Sequence, residues 1–134
     1  MTQSDSDLLA LLVAHTEAWN RHDLDTLMTL FDDDCVFESS GGDEVCGTRY
    51  VGLPAVRAAF AEVLGSMPDA EWGDGRHYLL GPDYGISEWT LRGTLVDGRR
   101  LEVNGCDLLT LSDGKVVNKN SYRKQRPPIR IQRG

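Results

Sequence analysis

The sequence predicts an α+β domain in which three helices come first and a run of antiparallel strands follows. Two patterns carry that expectation. Apolar residues recur at helical spacing up to about residue 66, whereas beyond Pro68 they alternate with polar ones over four segments. The last three segments are separated by Asp97-Gly98 and Ser112-Asp113-Gly114, whose glycines supply the positive φ of hairpin turns. At 134 residues the chain fits one domain, and a chain of this size buries roughly two-thirds of its unfolded surface. A long, twisted sheet that curls around helices leaves a hollow between the two layers.

Taken in order, Leu8, Leu12, His15 and Trp19 fall on one face of a helix over 5–20. The polar run Asn20–Asp23 breaks it. Asp23 caps a second helix with Leu24, Leu27, Met28 and Phe31 as its apolar face. Asp32–Asp34 ends that pattern, residues 35–38 read as a short strand, and 39–42 as a turn. A third helix opens at Gly52-Leu53-Pro54, with proline in its favoured first turn and Val56, Phe60, Val63 and Leu64 as its buried stripe. Strands follow at about 70–80, 85–96, 99–111 and 115–124. The domain is expected to span 1–124 and a basic tail 125–134.

Formal net charge is −7, with 21 acidic and 14 basic residues. Such a surface repels nucleic-acid phosphates and anionic lipid, so neither is an expected partner. The charge is uneven, because Arg123, Lys124, Arg126, Arg130 and Arg133 stand together without an acid. A tail of that kind suits the acidic body of its own or a neighbouring subunit. The three cysteines form no CxxC pair, and with His15, His22 and His77 they lack zinc-ligand spacing. No metal or other cofactor is expected. The apolar stretch 8–14 is too short for a membrane span and lacks the basic flank of a signal peptide, which makes the cytoplasm the expected location. No GxSxG, P-loop or dinucleotide-binding glycine pattern occurs.

Several stretches resemble one superfamily. They are Trp19-Asn20-Arg21-His22-Asp23-Leu24-Asp25, Phe31-Asp32-Asp33-Asp34-Cys35-Val36-Phe37-Glu38 and Gly52-Leu53-Pro54-Ala55-Val56-Arg57-Ala58-Ala59-Phe60. Later come Glu88-Trp89-Thr90-Leu91-Arg92-Gly93-Thr94, Gly105-Cys106-Asp107-Leu108-Leu109-Thr110-Leu111 and Asp113-Gly114-Lys115-Val116. Together they are similar to the SnoaL-like and ketosteroid-isomerase-like branches of the nuclear transport factor 2-like superfamily. The resemblance covers residues 8–124. It implies a cone-shaped sheet wrapped around three helices, one enclosed pocket, and a homodimer formed through the convex sheet face. It does not fix a reaction, since the superfamily hosts isomerases, cyclases, dehydratases, epoxide hydrolases and non-enzymatic adaptors.

Asp107 is the most informative residue. By the two-residue period it shares a face with Leu101, Val103, Gly105, Leu109 and Leu111, so one acid interrupts an apolar row. A carboxylate placed there loses hydration and tends to hold its proton unless a cation pairs with it. The resemblance puts Asp107 where the isomerase keeps its protonated oxyanion-hole aspartate and SnoaL-like cyclases keep an acid/base aspartate. It puts His15 where the isomerase has an oxyanion-hole tyrosine, from which an imidazole could donate to the same oxygen or pair with Asp107 as a relay. It aligns Ser39 with the isomerase's general base, which serine cannot replace; either Glu38, one residue earlier, supplies a second carboxylate through a local bulge, or the isomerase mechanism is absent and Glu38 faces solvent. Trp19, Ser39 and Phe60 are assigned to the substrate-binding wall. Thr90 and Arg92, with Lys119, Ser121 and Arg123 on the face of Val117, are expected to point inward and make that wall cationic. Trp89 and Leu91 would then lie outside, facing a second subunit. A cationic pocket suits a small acidic or oxygen-rich ligand.

The expected activity is cofactor-independent proton transfer of the enolate type on a small carbonyl compound, in the isomerase, cyclase or lyase class. One alternative is a non-catalytic ligand-binding or adaptor domain with Asp107 fully ion-paired. Another is a hydrolase that activates water between His15 and Asp107; it departs from the epoxide hydrolase pattern, which would need an acid where Ser121 stands.

Overall fold

The computed structural model describes residues 4–130. Three helices, α1 (Asp5–Asn20), α2 (Leu24–Thr29) and α3 (Leu53–Ser66), pack on a six-stranded sheet of β1 (Phe31–Glu38), β2 (Arg49–Val51), β3 (Glu71–Leu79), β4 (Tyr84–Thr94), β5 (Arg100–Ser112) and β6 (Lys115–Arg123). The strand order is β2-β1-β6-β5-β4-β3. Neighbours run antiparallel except β1 and β6, which are parallel, so the sheet is mixed rather than antiparallel throughout. The architecture is the expected α+β one.

Local chemistry sets the helix ends. The Ser4 hydroxyl accepts from the Asp7 amide, the Asp23 carboxylate accepts from the Thr26 amide, and Pro54 sits in the first turn of α3. Leu12, Leu27, Phe31, Phe60, Leu109 and Val116 are fully buried between helices and sheet. Gly85 lets α1 approach β4 closely, since a Cβ there would stand 2.8 Å from the Leu12 methyls. Two expectations shift. Phe31 opens β1 instead of closing α2, and the three-residue β2 pairs with β1 within what was read as loop.

Two turns decide which side chains face inward. Asp113-Gly114 is a two-residue turn with φ of 51° and 74°, as a type I′ hairpin requires. At the other hairpin, the Leu95 amide bonds to the Arg99 carbonyl, which makes a three-residue loop of Val96-Asp97-Gly98 with Gly98 at φ 86°. One added loop residue slips the register by one and exchanges the faces of β4. Trp89 therefore pairs with Gly105 and Leu91 with Val103, on the face that carries Asp107. Trp89 and Leu91 are buried, while Thr90 binds Asn104 and Arg92 binds Asp74 and Glu102 on the other face. The inward placement of Thr90 and Arg92 is thus corrected. The argument for a homodimer from outward Trp89 and Leu91 falls with it.

A bulge completes the wall. Leu111 pairs with Val116 but Thr110 with Asn118, so Val117 is an extra residue in β6. Val117 is not in the inward row; Val116 takes the core position instead. Beyond the bulge, Leu109 faces Lys119, Asp107 faces Ser121 and Gly105 faces Arg123. The tail does not drift away: Arg100 and Ile129 exchange both backbone hydrogen bonds, at 2.8 and 2.7 Å. Arg133 of the predicted basic tail lies outside the described residues.

Candidate active site

Between the helices and the inner sheet face lies a hollow of about 180 Å³. Trp19, Phe37, Trp72, Trp89 and Leu91 make its apolar wall, and Asp107, Lys119, Ser121 and Arg123 its polar one. A wider and more open groove of about 550 Å³ adjoins it through Ser40 and Arg123, but contains neither Asp107 nor Lys119.

Asp107 is 4% exposed and Lys119 5%. Oδ1 of Asp107 accepts from the Ser121 hydroxyl at 2.6 Å, and Oδ2 from Trp89 Nε1 at 3.0 Å and Lys119 Nζ at 3.4 Å. The cation that could keep this carboxylate charged is therefore present, and it is a lysine. Trp89 reaches Oδ2 because its ring lies across Gly105, where a Cβ would stand 2.4 Å from the ring and 2.5 Å from the Tyr122 carbonyl oxygen. The ammonium of Lys119 also sits 4.5 Å from the centroid of the Trp19 ring. Burial lowers the Lys119 pKa, and the Asp107 charge and hydrogen bond pull against that.

His15 is 1% exposed and does not line the hollow. Its Nε2 receives the indole N–H of Trp19 at 3.2 Å and Lys119 Nζ at 3.1 Å. An indole N–H can only donate, so Nε2 is the acceptor and the ring proton sits on Nδ1, which is buried with no partner. Burial first, then the charges of Lys119 and His77, hold the His15 pKa well below 6.5. The ring is neutral. The expected direct pairing of His15 with Asp107 is corrected: Lys119 stands between them and bonds to both.

Glu38 is a second correction. It lies on the outer face, where Oε2 is held by Arg49 at 2.9 Å and Oε1 by Asn118 at 3.4 Å. The Arg49 hydrogen bond is the main reason its pKa falls below the ordinary glutamate value. Its strand neighbour Phe37 points into the hollow instead. Phe60, expected on the substrate wall, is fully buried behind Trp19 and Phe37, with ring centroids 4.7 and 4.9 Å away. Ser39 does line the hollow, though its hydroxyl is engaged with the Gly41 carbonyl at 2.8 Å. Trp19, Lys119, Ser121 and Arg123 lie where they were expected. Trp72, whose register the sequence left open, lines the hollow beside Trp19, and His77 instead binds Ser87 at 2.8 Å. Trp89, Leu91 and Phe37 were missed as pocket residues. Cys106 faces away from the hollow and is half-buried, with burial pushing its thiol up.

Comparison with known proteins bears on this arrangement. The SnoaL-like domain profile matches residues 12–119, from the first helix to the lysine of the buried pair. The chain belongs to the SnoaL-like domain family. No curated protein matches its sequence. Among solved structures, this SnoaL-like domain is similar to a candidate polyketide cyclase from Xanthomonas campestris pv. campestris, with a TM-score of 0.78 and 17% identity over 87% of this chain and 90% of that one. A candidate isomerase from Bacillus subtilis gives 0.76 and 16% over 89% and 87%. A protein with a ketosteroid isomerase-like fold from Catenulispora acidiphila, solved with trimethylamine, gives 0.70 and 19% over 84% and 83%. Likeness at these identities shows the fold. The SnoaL-like fold is thus one that isomerases and cyclases use. Among the described residues no helix is long and apolar enough to cross a membrane, and no group of three His, Cys, Asp or Glu side chains could hold a metal ion.

Proposed function

We propose that this SnoaL-like domain transfers protons on a small carbonyl compound, with Asp107 as the base and Lys119 as the group that holds the enolate oxygen. The observation that carries this reading is a buried acid and ammonium, 3.4 Å apart, that both face one small hollow. Three donors address Asp107 out of about four lone-pair positions on a carboxylate, which leaves room to accept a proton from carbon. Ser121 and Trp89 fix its plane. As the proton leaves the carbon next to the carbonyl, negative charge builds on the carbonyl oxygen, and the Lys119 N–H can stabilise it there. The same proton returned to another carbon gives an isomerase. Attack of the enolate carbon on a second carbonyl gives a cyclase, and loss of a β-substituent gives a lyase. The hollow has room for about six waters at ~30 Å³ each, which suits a small substrate rather than a steroid.

Incubation with 5-oxohexanoate in D₂O tests this without knowledge of the natural substrate. Deuterium should enter only carbons next to the carbonyl, and Asp107→Asn should slow that entry by about 10²- to 10⁴-fold. Exchange at the uncatalysed rate with the unsubstituted protein would overturn the reading.

One observation favours a second reading. Asp107 is ion-paired with Lys119, as a non-catalytic binding domain would have it. That reading predicts ligand binding in the hollow with no deuterium entry. A hydrolase that activates water directly between His15 and Asp107 is disfavoured, because Lys119 Nζ stands between them.

A further inference from the structure

We propose that Arg123 anchors a carboxylate on the substrate, so that the class of compound this pocket takes is a small oxo acid. The inference deepens the proton-transfer reading and rests on it for the carbonyl end. Acids outnumber bases 21 to 14 in this chain, and Arg21, Arg49, Arg57, Arg92, Arg99 and Arg100 each hold a carboxylate, while Arg76, Arg126 and Arg130 hold none among the described residues but do not line the hollow. Arg123 holds none among the described residues, although it stands where the hollow opens into the neighbouring groove. Arg123 is exposed as a residue, and partial burial of its guanidinium lowers its pKa with no carboxylate opposing among the described residues. Guanidinium presents a planar fork of N–H groups that matches a carboxylate with two parallel hydrogen bonds.

The surroundings point the same way. The groove outside the mouth is lined by Arg123, Lys124 and Arg126 and by no acid. Inside, Asp107 is the one acid on the wall of the hollow, and it is already paired with Lys119. An acid-rich protein thus keeps a cationic approach to its pocket, which attracts anions and repels cations. Strand β6 then sets the layout. Lys119, Ser121 and Arg123 alternate along one face, so successive Cα atoms in that row lie roughly 6.6 Å apart at ~3.3 Å per residue. A bound oxo acid lies along β6, with its carbonyl at Lys119 and Asp107, and its carboxylate at Arg123. The proton chemistry then takes place at the closed end and the charge stays near water.

The chain's three tryptophans, Trp19, Trp72 and Trp89, all line the hollow, so their indole N–H signals report any occupant. Titrations would compare 5-oxohexanoate with its uncharged counterpart 6-hydroxyhexan-2-one. The acid should bind at least ~10-fold more tightly, the scale of one charge-assisted contact of about 1.4 kcal/mol. Arg123→Gln should erase that preference through weaker binding of the acid, and Arg123→Lys should restore only part of it. Arg76→Gln, which removes the same charge from an exposed site on β3, should change neither. Equal affinity for acid and ketone, a preference that survives Arg123→Gln, or no indole response to either compound would overturn the anchor. This readout needs no turnover, so it fails separately from the chemistry: a protein that exchanges deuterium without preferring the acid keeps the reaction and loses the anchor.

Discussion

Glu38 and Asp107 each hold a cation, and they stand on opposite faces of the sheet. Glu38 and Arg49 meet on the outer face, where the arginine side chain is 54% exposed. Asp107 and Lys119 meet on the inner face with side chains 5% and 6% exposed. The outer pair is braced by Asn118 and does not line the hollow; its arginine reaches water while Glu38 is 9% exposed, and its geometry serves the β1–β2 edge. The inner pair borders a hollow, is supported by Trp89, Ser121 and His15, and has given up most of its hydration. Similar residues in similar pairs therefore stand in different surroundings because of what the facing layer leaves open.

That contrast can be broken at several points. Lys119→Met should cost the most stability, about 3–5 kcal/mol in chemical denaturation, because it strands the Asp107 charge in the interior. The double substitution Lys119→Met with Asp107→Asn should recover much of that loss; additive losses would mean that the two groups are not a pair. Gly105→Ala comes next, at about 1–3 kcal/mol, because its methyl would collide with the Trp89 ring and the β6 backbone. It should also lower deuterium exchange, since Trp89 helps fix Asp107, and unchanged exchange would show that the indole bond is dispensable.

Smaller effects follow from pH. His15 is held neutral in the fold with its pKa below 6.5, so the unfolded chain binds the proton first as pH drops. Stability should be full above 6.5 and fall below it, by at most ~1.4 kcal/mol per pH unit for this one group, until the folded-state pKa is passed. The slope should flatten in His15→Asn; an unchanged slope would assign it to other groups. Replacing Glu38 by Gln should give the smallest change, a slight loss at neutral pH. Because Arg49 depresses the Glu38 pKa, that loss should be present above 4.5 and vanish as pH falls through the depressed value.

The element order and the central residue were legible because each rests on a strong local signal. Helical spacing located α1 and α3, Asp23 announced α2, and an acid in an apolar row singled out Asp107. Facing direction was less legible. Asp97-Gly98 reads as a two-residue turn, yet Val96 joins it, and that one residue moves Trp89 and Leu91 inward and Arg92 outward. The signal was present in part: Trp89 and Leu91 are the apolar members of their alternation, and polarity alone would have buried them. The Val117 bulge has no local signature, so the alignment of Lys119 with Asp107 rests on tertiary packing of β6 between two strands. Glu38 stayed open between site acid and outward residue because a strand end aligned by resemblance says nothing about Arg49, eleven residues away.

Deuterium entry into 5-oxohexanoate, measured side by side for Asp107→Asn and Glu38→Gln, tests the difference between the two faces most directly. The account predicts loss of roughly 10²-fold or more for the inner substitution and less than a twofold change for the outer one. Comparable exchange in both variants would contradict it.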